Sequence, residues 1–170
     1  DKMINLALKN NMKVIKRPPK LARSNSTSED TLEHAINYII EKSKFFPENI
    51  VFVQPTSPLM NYKDLDNGIS KFMNTKADSL FSSYKAKYYI WKKSKKNLIS
   101  FTYNHKKRTG TKKFKDLIVE NGAFFIFNTE KFLKKKNRLF GKIETYVMPR
   151  YRSFEIDYKE DVEFLNKLKF

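Results

Sequence analysis

Ile50-Val51-Phe52-Val53-Gln54-Pro55-Thr56-Ser57-Pro58-Leu59 decides how this chain is read. Four consecutive apolar residues suit a strand covered on both faces, as in the parallel sheets of α/β proteins. The strand ends at Gln54, and two prolines around two hydroxyls then form a stiff loop at its carboxyl end, where open α/β sheets bind ligands. The same loop is also what a plain turn of turn-forming residues looks like.

Working outward, the pattern alternates. Before the strand, Ser26-Thr27-Ser28-Glu29 reads as a capping box, with Ser26 as N-cap and Glu29 reaching back. The helix it starts carries Leu32, Ala35, Ile36, Ile39 and Ile40 on one face. After the loop, a helix over Asp64–Asn74 turns Leu65, Ile69 and Phe72 inward, and Ser79-Leu80-Phe81-Ser82 is the next strand. Helix and strand in alternation predict an α/β fold with a mainly parallel sheet and crossover helices. Further upstream, Met3, Leu6 and Ala7 mark a helix stopped at Asn10-Asn11, which tolerate a left-handed conformation, and Met12 to Ile15 reads as a short strand. A chain that opens inside a helix reads as N-terminally incomplete.

Between Tyr84 and Lys115 there are twelve Lys or Arg and no Asp or Glu, interleaved with Tyr88, Tyr89, Ile90, Trp91, Leu98, Ile99, Phe101 and Tyr103. This predicts a β-rich insertion over 84–118 within a single domain of 1–170. It is either a lysine-covered arm that packs on a partner subunit or a polyanion surface with stacking aromatics. The strand-like runs of aromatics favour the arm. Beyond it, Asn121 to Phe127 is a strongly apolar strand, Thr129 to Lys135 a short helix, and Tyr146-Val147-Met148 a strand stopped by Pro149. Phe154-Glu155-Ile156-Asp157 alternates as a half-buried strand would, and a last helix from Lys159 carries Val162, Leu165 and Leu168.

Composition narrows the classes. With 170 residues, 40% of them hydrophobic and 15% aromatic, the chain can bury a core and is not a disordered polyelectrolyte. There is no cysteine, which excludes disulfides, thiol catalysis and zinc ribbons and fits a reducing, cytoplasmic compartment. No apolar run is long enough for a membrane-spanning helix, and no signal peptide is evident. The net charge of +17 invites a nucleic-acid reading, but 29 of the 35 basic residues are lysine. Base and phosphate recognition favours the arginine fork, so no specific nucleic-acid partner is expected.

One pair of residues carries possible chemistry beside the proline-rich loop. Glu155 and Asp157 fall on one side of their strand and suit a magnesium ion that also holds substrate phosphates. Asp157 could equally cap the last helix, and the two roles demand different carboxylate orientations. His34 and His105 form no triad or metal constellation, and no glycine-rich phosphate loop is present.

Six segments taken in order resemble the acylneuraminate cytidylyltransferases, which make the CMP-activated forms of sialic, legionaminic and pseudaminic acids. They are Lys16 to Ala22, Thr27 to Asp30, Gln54 to Leu59, Asp78 to Ser82, Glu120 to Ala123, and Ser153 to Asp157. The resemblance implies a Rossmann-like nucleotidyltransferase sandwich, a homodimer built through the insertion, and transfer of CMP from CTP to a nonulosonic acid with Mg2+. It implies nucleotide contacts at Arg17 and Ser28, sugar-acid contacts at Gln54, Asn121 and Phe125, and magnesium at Glu155 and Asp157. Arg108, Lys112 and Lys113 would meet the acid's carboxylate or the phosphates. The family's first strand and its Ala-Arg-x-x-Ser-Lys loop have no counterpart here, which predicts exposed sheet edges and leaves the triphosphate without its cradle. Met60 stands where the family has arginine, Glu155 replaces an aspartate, Phe125 a tyrosine, and Thr111 falls near an expected arginine. The alternative reading is a catalytically incomplete chain that binds polyanions through its lysine-rich arm.

Overall fold

A computed structural model describes residues 2–23, 26–110, 112 and 117–168. The elements follow in the order α1 (Lys2–Lys9), α2 (Ser28–Ser43), β1 (Asn49–Val53), α3 (Tyr62–Thr75), β2 (Ser79–Ala86), β3 (Trp91–Lys93), β4 (Leu98–Ser100), β5 (Leu117–Asn128), α4 (Thr129–Lys135), β6 (Ile143–Val147) and α5 (Lys159–Lys167).

The main sheet has the order β1-β5-β2-β6. Both neighbours of β5 are antiparallel to it, whereas β2 and β6 are parallel. The fold is therefore α/β, but the expected mainly parallel ladder is corrected to a mixed one. The reason is β5, which returns from the insertion against the direction of β1, β2 and β6 and takes the central place between them. The residues of Ala123–Phe127 are all buried. Their side chains alternate: Phe124 and Ile126 join Phe72, Leu80 and Met148 on one face, and Phe125 and Phe127 join Ile36, Phe132 and Phe140 on the other. Helix α3 thus packs over one face, and α2 with α4 over the other.

The doubly covered strand is β5, not β1. Ile50 and Phe52 of β1 face the α2 cluster, while Val51 and Val53 are each 41% exposed. As an outer strand β1 receives helix cover on one face only, which corrects the reading of its apolar run. The segment Met12–Ile15 is not a strand and pairs with no described strand; α1 ends at Lys9, and Asn11 after it takes the expected left-handed conformation, with φ +57°.

Helix α2 is capped one residue later than its sequence suggested. The Thr27 hydroxyl accepts from the Asp30 N–H (3.1 Å), and the Asp30 carboxylate accepts from the Thr27 N–H (3.2 Å). This reciprocal pair replaces Ser26 and Glu29, and it frees Glu29 for a longer-range partner. The insertion contains the two-stranded hairpin β3–β4, in which Trp91 pairs with Ser100. The Tyr89, Trp91 and Tyr103 rings meet edge to face at its base.

Segment 154–157 joins no described ladder, which corrects the half-buried strand expected there. Its backbone tie is the Ile156 N–H donating to the Thr56 carbonyl (2.8 Å). The cap of α5 comes from inside the helix: the Asp161 carboxylate accepts from the N–H groups of Tyr158 (2.8 Å) and Asp157 (2.9 Å). Asp157 is accordingly not the helix cap.

Candidate functional site

The site is built on a break in β5. Pairing with β2 runs evenly to Phe81↔Phe125 and resumes at Ser83↔Glu120, so β5 spends extra residues between these points. Gly122 makes the detour possible with φ +62°, a left-handed conformation that side chains disfavour. The Ser82 hydroxyl closes the gap by accepting from the Phe124 N–H (2.9 Å). Across the other edge, the Gln54 N–H donates to the Ala123 carbonyl (3.0 Å), which holds the end of β1 against the bulge.

A cleft of about 380 Å³ opens over this bulge. Its walls are Ser28 and Glu29 from the start of α2, Gln54 from the end of β1, and Glu120, Gly122 and Phe125 from β5. Asn137, Arg138 and Leu139 follow α4, and Glu155 comes from the segment before α5. Glu155 lies so close to Gly122 that a Cβ there would stand 2.5 Å from the Glu155 Oε1 and 3.2 Å from the Gln54 Oε1.

The loop after β1 is locked from below. The buried Ser57 hydroxyl donates to the Asn121 carbonyl (3.5 Å), and Asn61 caps α3 in a reciprocal pair with Asp64. Asp64 is fully buried and also accepts two bonds from Arg152, at 2.8 and 2.9 Å. One carboxylate thus ties the loop and α3 to the segment that carries Glu155. Such a bidentate pair fixes geometry as well as charge.

Electrostatics distinguish the acids of the cleft. Burial pushes the Glu155 carboxyl above its ordinary range, and the negative charges of Asp157 and Glu120 push it further. A divalent cation beside Glu155 would relieve that repulsion, so the residues fit magnesium, which takes one or two carboxylates and completes its shell with water and phosphate oxygens. Among the described residues, no group of three or more His, Asp or Glu is arranged to hold a metal by itself. Glu29 behaves oppositely: a hydrogen bond from Arg138 (2.7 Å) holds its carboxyl below the ordinary range.

The structure therefore brings Ser28, Gln54, Phe125 and Glu155 to one cleft from four separate parts of the chain. The other expected site residues lie elsewhere. Asn121 is 3% exposed and turns its amide to the Met148 sulfur (3.2 Å). Asp157 is exposed and reaches the cleft only through its charge. Arg17 lines a separate groove beside α1 with Lys2, Met3, Ile4 and Ile15. Arg108 stacks 3.9 Å from the centre of the Tyr89 ring on the insertion, and Lys112 is exposed. Lys113 lies outside the described residues. Sequence reasoning missed Glu29, Glu120, Asn137, Arg138 and Leu139: it assigns Glu29 to a helix cap, it gives Glu120 no role although the residue opens the Glu120–Ala123 segment, and the other three stand in no recognisable motif.

No family model matches the chain. It is similar to N-acylneuraminate cytidylyltransferases of Streptococcus agalactiae, from serotype III (strain NEM316), serotype Ia and serotype V, each 25% identical over 168 residues. Each match covers 92% of this chain but 37% of the relative, so the chain spans little more than a third of the length of the curated relatives it matches.

Proposed function

We propose that this chain forms the sugar-acid side of a cytidylyltransferase that transfers CMP from CTP to the anomeric hydroxyl of a nonulosonic acid. The observation that carries the reading is the convergence of Ser28, Gln54, Phe125 and Glu155 on one cleft, supported by the similarity to N-acylneuraminate cytidylyltransferases over most of the chain. In the step, the anomeric oxygen forms a bond to the α-phosphorus, the bond to the pyrophosphate oxygen breaks, and the hydroxyl proton passes to solvent.

Within this reading Gln54 and the Phe125 ring hold the acid, with Asn121 shaping the wall from behind. Ser28 faces the nucleotide, and Arg17 extends the nucleotide contacts from its groove. Glu155 would hold Mg2+, with the charge of Asp157 beside it, and the ion would supply charge neutralisation on the phosphates. Catalysis of this type is mostly positioning and electrostatic stabilisation. The exposed Trp91, Leu98, Ile99 and Phe101 of the hairpin support a homodimer through the insertion. There Arg108, Lys112 and Lys113 would serve the substrate of the neighbouring subunit. Among the described residues, no helix is long and apolar enough to cross a membrane.

The test is pyrophosphate release from CTP by the natively expressed protein, offered sialic, legionaminic and pseudaminic acids and the shorter eight-carbon acid. The reading predicts release with at least one nine-carbon acid and its loss in Glu155→Ala. Turnover with the eight-carbon acid alone contradicts it. The lysine cluster of the hairpin favours a second reading, a polyanion-binding surface. A steep loss of binding with salt and no preference for CTP over other triphosphates would select that one.

A further inference from the structure

Arg138 belongs to no motif, yet it is the only cation among the described residues that line the cleft. Its side chain is 15% exposed. Its guanidinium lies over two aromatic rings, 4.7 Å from the centre of Phe125 and 5.3 Å from that of Phe52. Its Nε–H donates to the Glu29 Oε1, so the plane of the group is fixed by a carboxylate at one end and rings along its face. Nη1 and Nη2 make no hydrogen bond to any described residue. A half-buried guanidinium with its outer donors unmatched is costly unless water or a ligand supplies acceptors. The pair of Nη groups presents two parallel N–H donors, the arrangement that matches two coplanar anionic oxygens.

We infer that Arg138 is a specificity-determining residue, whose Nη edge receives the carboxylate of the acid substrate; this rests on the functional reading above. A carboxylate suits the site better than a triphosphate. The cleft holds one guanidinium against Glu29, Glu120 and Glu155, so it opposes the several charges of a triphosphate far more than the single charge of a carboxylate. The assignment gives the acid's carboxylate a partner in this chain's own cleft; on the insertion, Arg108 already stacks on Tyr89 and donates to the Tyr103 hydroxyl.

The experiment compares wild type with Arg138→Lys and Arg138→Gln in two assays on the natively expressed protein. In steady-state turnover, Arg138→Gln should raise the KM for the acid at least 30-fold with the KM for CTP changed less than twofold. Arg138→Lys, which keeps the charge but loses the fork, should fall between. By calorimetry, wild type should bind N-acetylneuraminic acid at least tenfold more tightly than its methyl ester, and Arg138→Gln should lose that preference. The wild-type comparison stands even where a variant fails to fold. Equal binding of acid and ester by wild type, binding of neither, an unchanged KM for the acid, or a shift in the KM for CTP instead overturns the inference. Turnover that survives without dependence on Arg138 sinks the inference and leaves the functional reading intact. An Arg138-dependent preference for the free acid in a protein that releases no pyrophosphate does the reverse.

Discussion

Replacing Gly122 with alanine perturbs the bulge and the cleft together, and the structure separates the two contributions. The backbone at Gly122 has φ +62°, and holding a side-chain-bearing residue in the left-handed region costs about 1–2 kcal/mol. The new methyl would also stand 2.5 Å from the Glu155 Oε1. Glu155 is the far end of a flexible side chain and can swing away, so the steric part adds little to the stability loss and falls on the site instead. Gly122→Ala should therefore lower the melting temperature by about 2–8 °C in a chain of this size. It should also displace Glu155 and cut CTP turnover far more than the stability loss would suggest. Repeating the substitution in a Glu155→Ala background leaves the backbone contribution and the milder contact with the Gln54 Oε1 (3.2 Å). Thermal unfolding of the four proteins of this cycle measures both parts, because residues in contact couple and distant ones do not. A neutral Gly122→Ala, or a full steric penalty that persists without the Glu155 carboxylate, would refute the geometry of the bulge.

Three further outcomes follow from the same structure. Because burial and then the charges of Asp157 and Glu120 raise the Glu155 carboxyl, the fold favours its protonated form. That stabilisation is fully present below the unfolded value near 4.5 and is lost as pH rises through the raised folded value. Glu155→Gln should thus gain melting temperature relative to wild type as pH rises from 4 to 8 in metal-free buffer, and parallel profiles would contradict this. Gly68→Ala should destabilise by about 1–3 kcal/mol although alanine is the better helix former, because its Cβ would meet the Phe124 ring at 2.6 Å. Denaturant midpoints decide it, and a stabilised protein would mean that the α3–β5 contact yields easily. Asp64→Ala should lower the denaturant midpoint well beyond the loss of the exposed Lys134–Glu130 pair, since it strips a buried carboxylate from Arg152 and from the cap of α3. Equal effects would show that the Asp64–Arg152 bridge does not hold the loop.

Local signals carried most of the elements. The apolar run Ala123–Phe127, the stop at Asn11 and the short helix after Asn128 were legible because each depends on neighbours within a few residues. Strand direction was not. Whether β5 enters the sheet with or against β1 is decided by the path of the insertion, and nothing in the strand's own pattern records it. The same limit explains Val51 and Val53: an unbroken apolar run marks a strand, but only the sheet order reveals that β1 sits at the outside. At the cap of α2, two overlapping patterns competed, and the reciprocal Thr27–Asp30 pair won, leaving Glu29 for Arg138. The Asp64–Arg152 bridge spans 88 positions and had no local signature at all.

The most direct test of the account is the backbone amide NMR spectrum of the native protein, recorded as N-acetylneuraminic acid is added in the presence of Mg2+ and CTP. The account predicts that the signals of Gln54, Gly122, Phe125, Arg138 and Glu155 shift together and saturate, while those of the β3–β4 hairpin hold still. Shifts confined to Lys92–Ser100, with the cleft unchanged, would contradict it and move the binding surface to the lysine-rich arm.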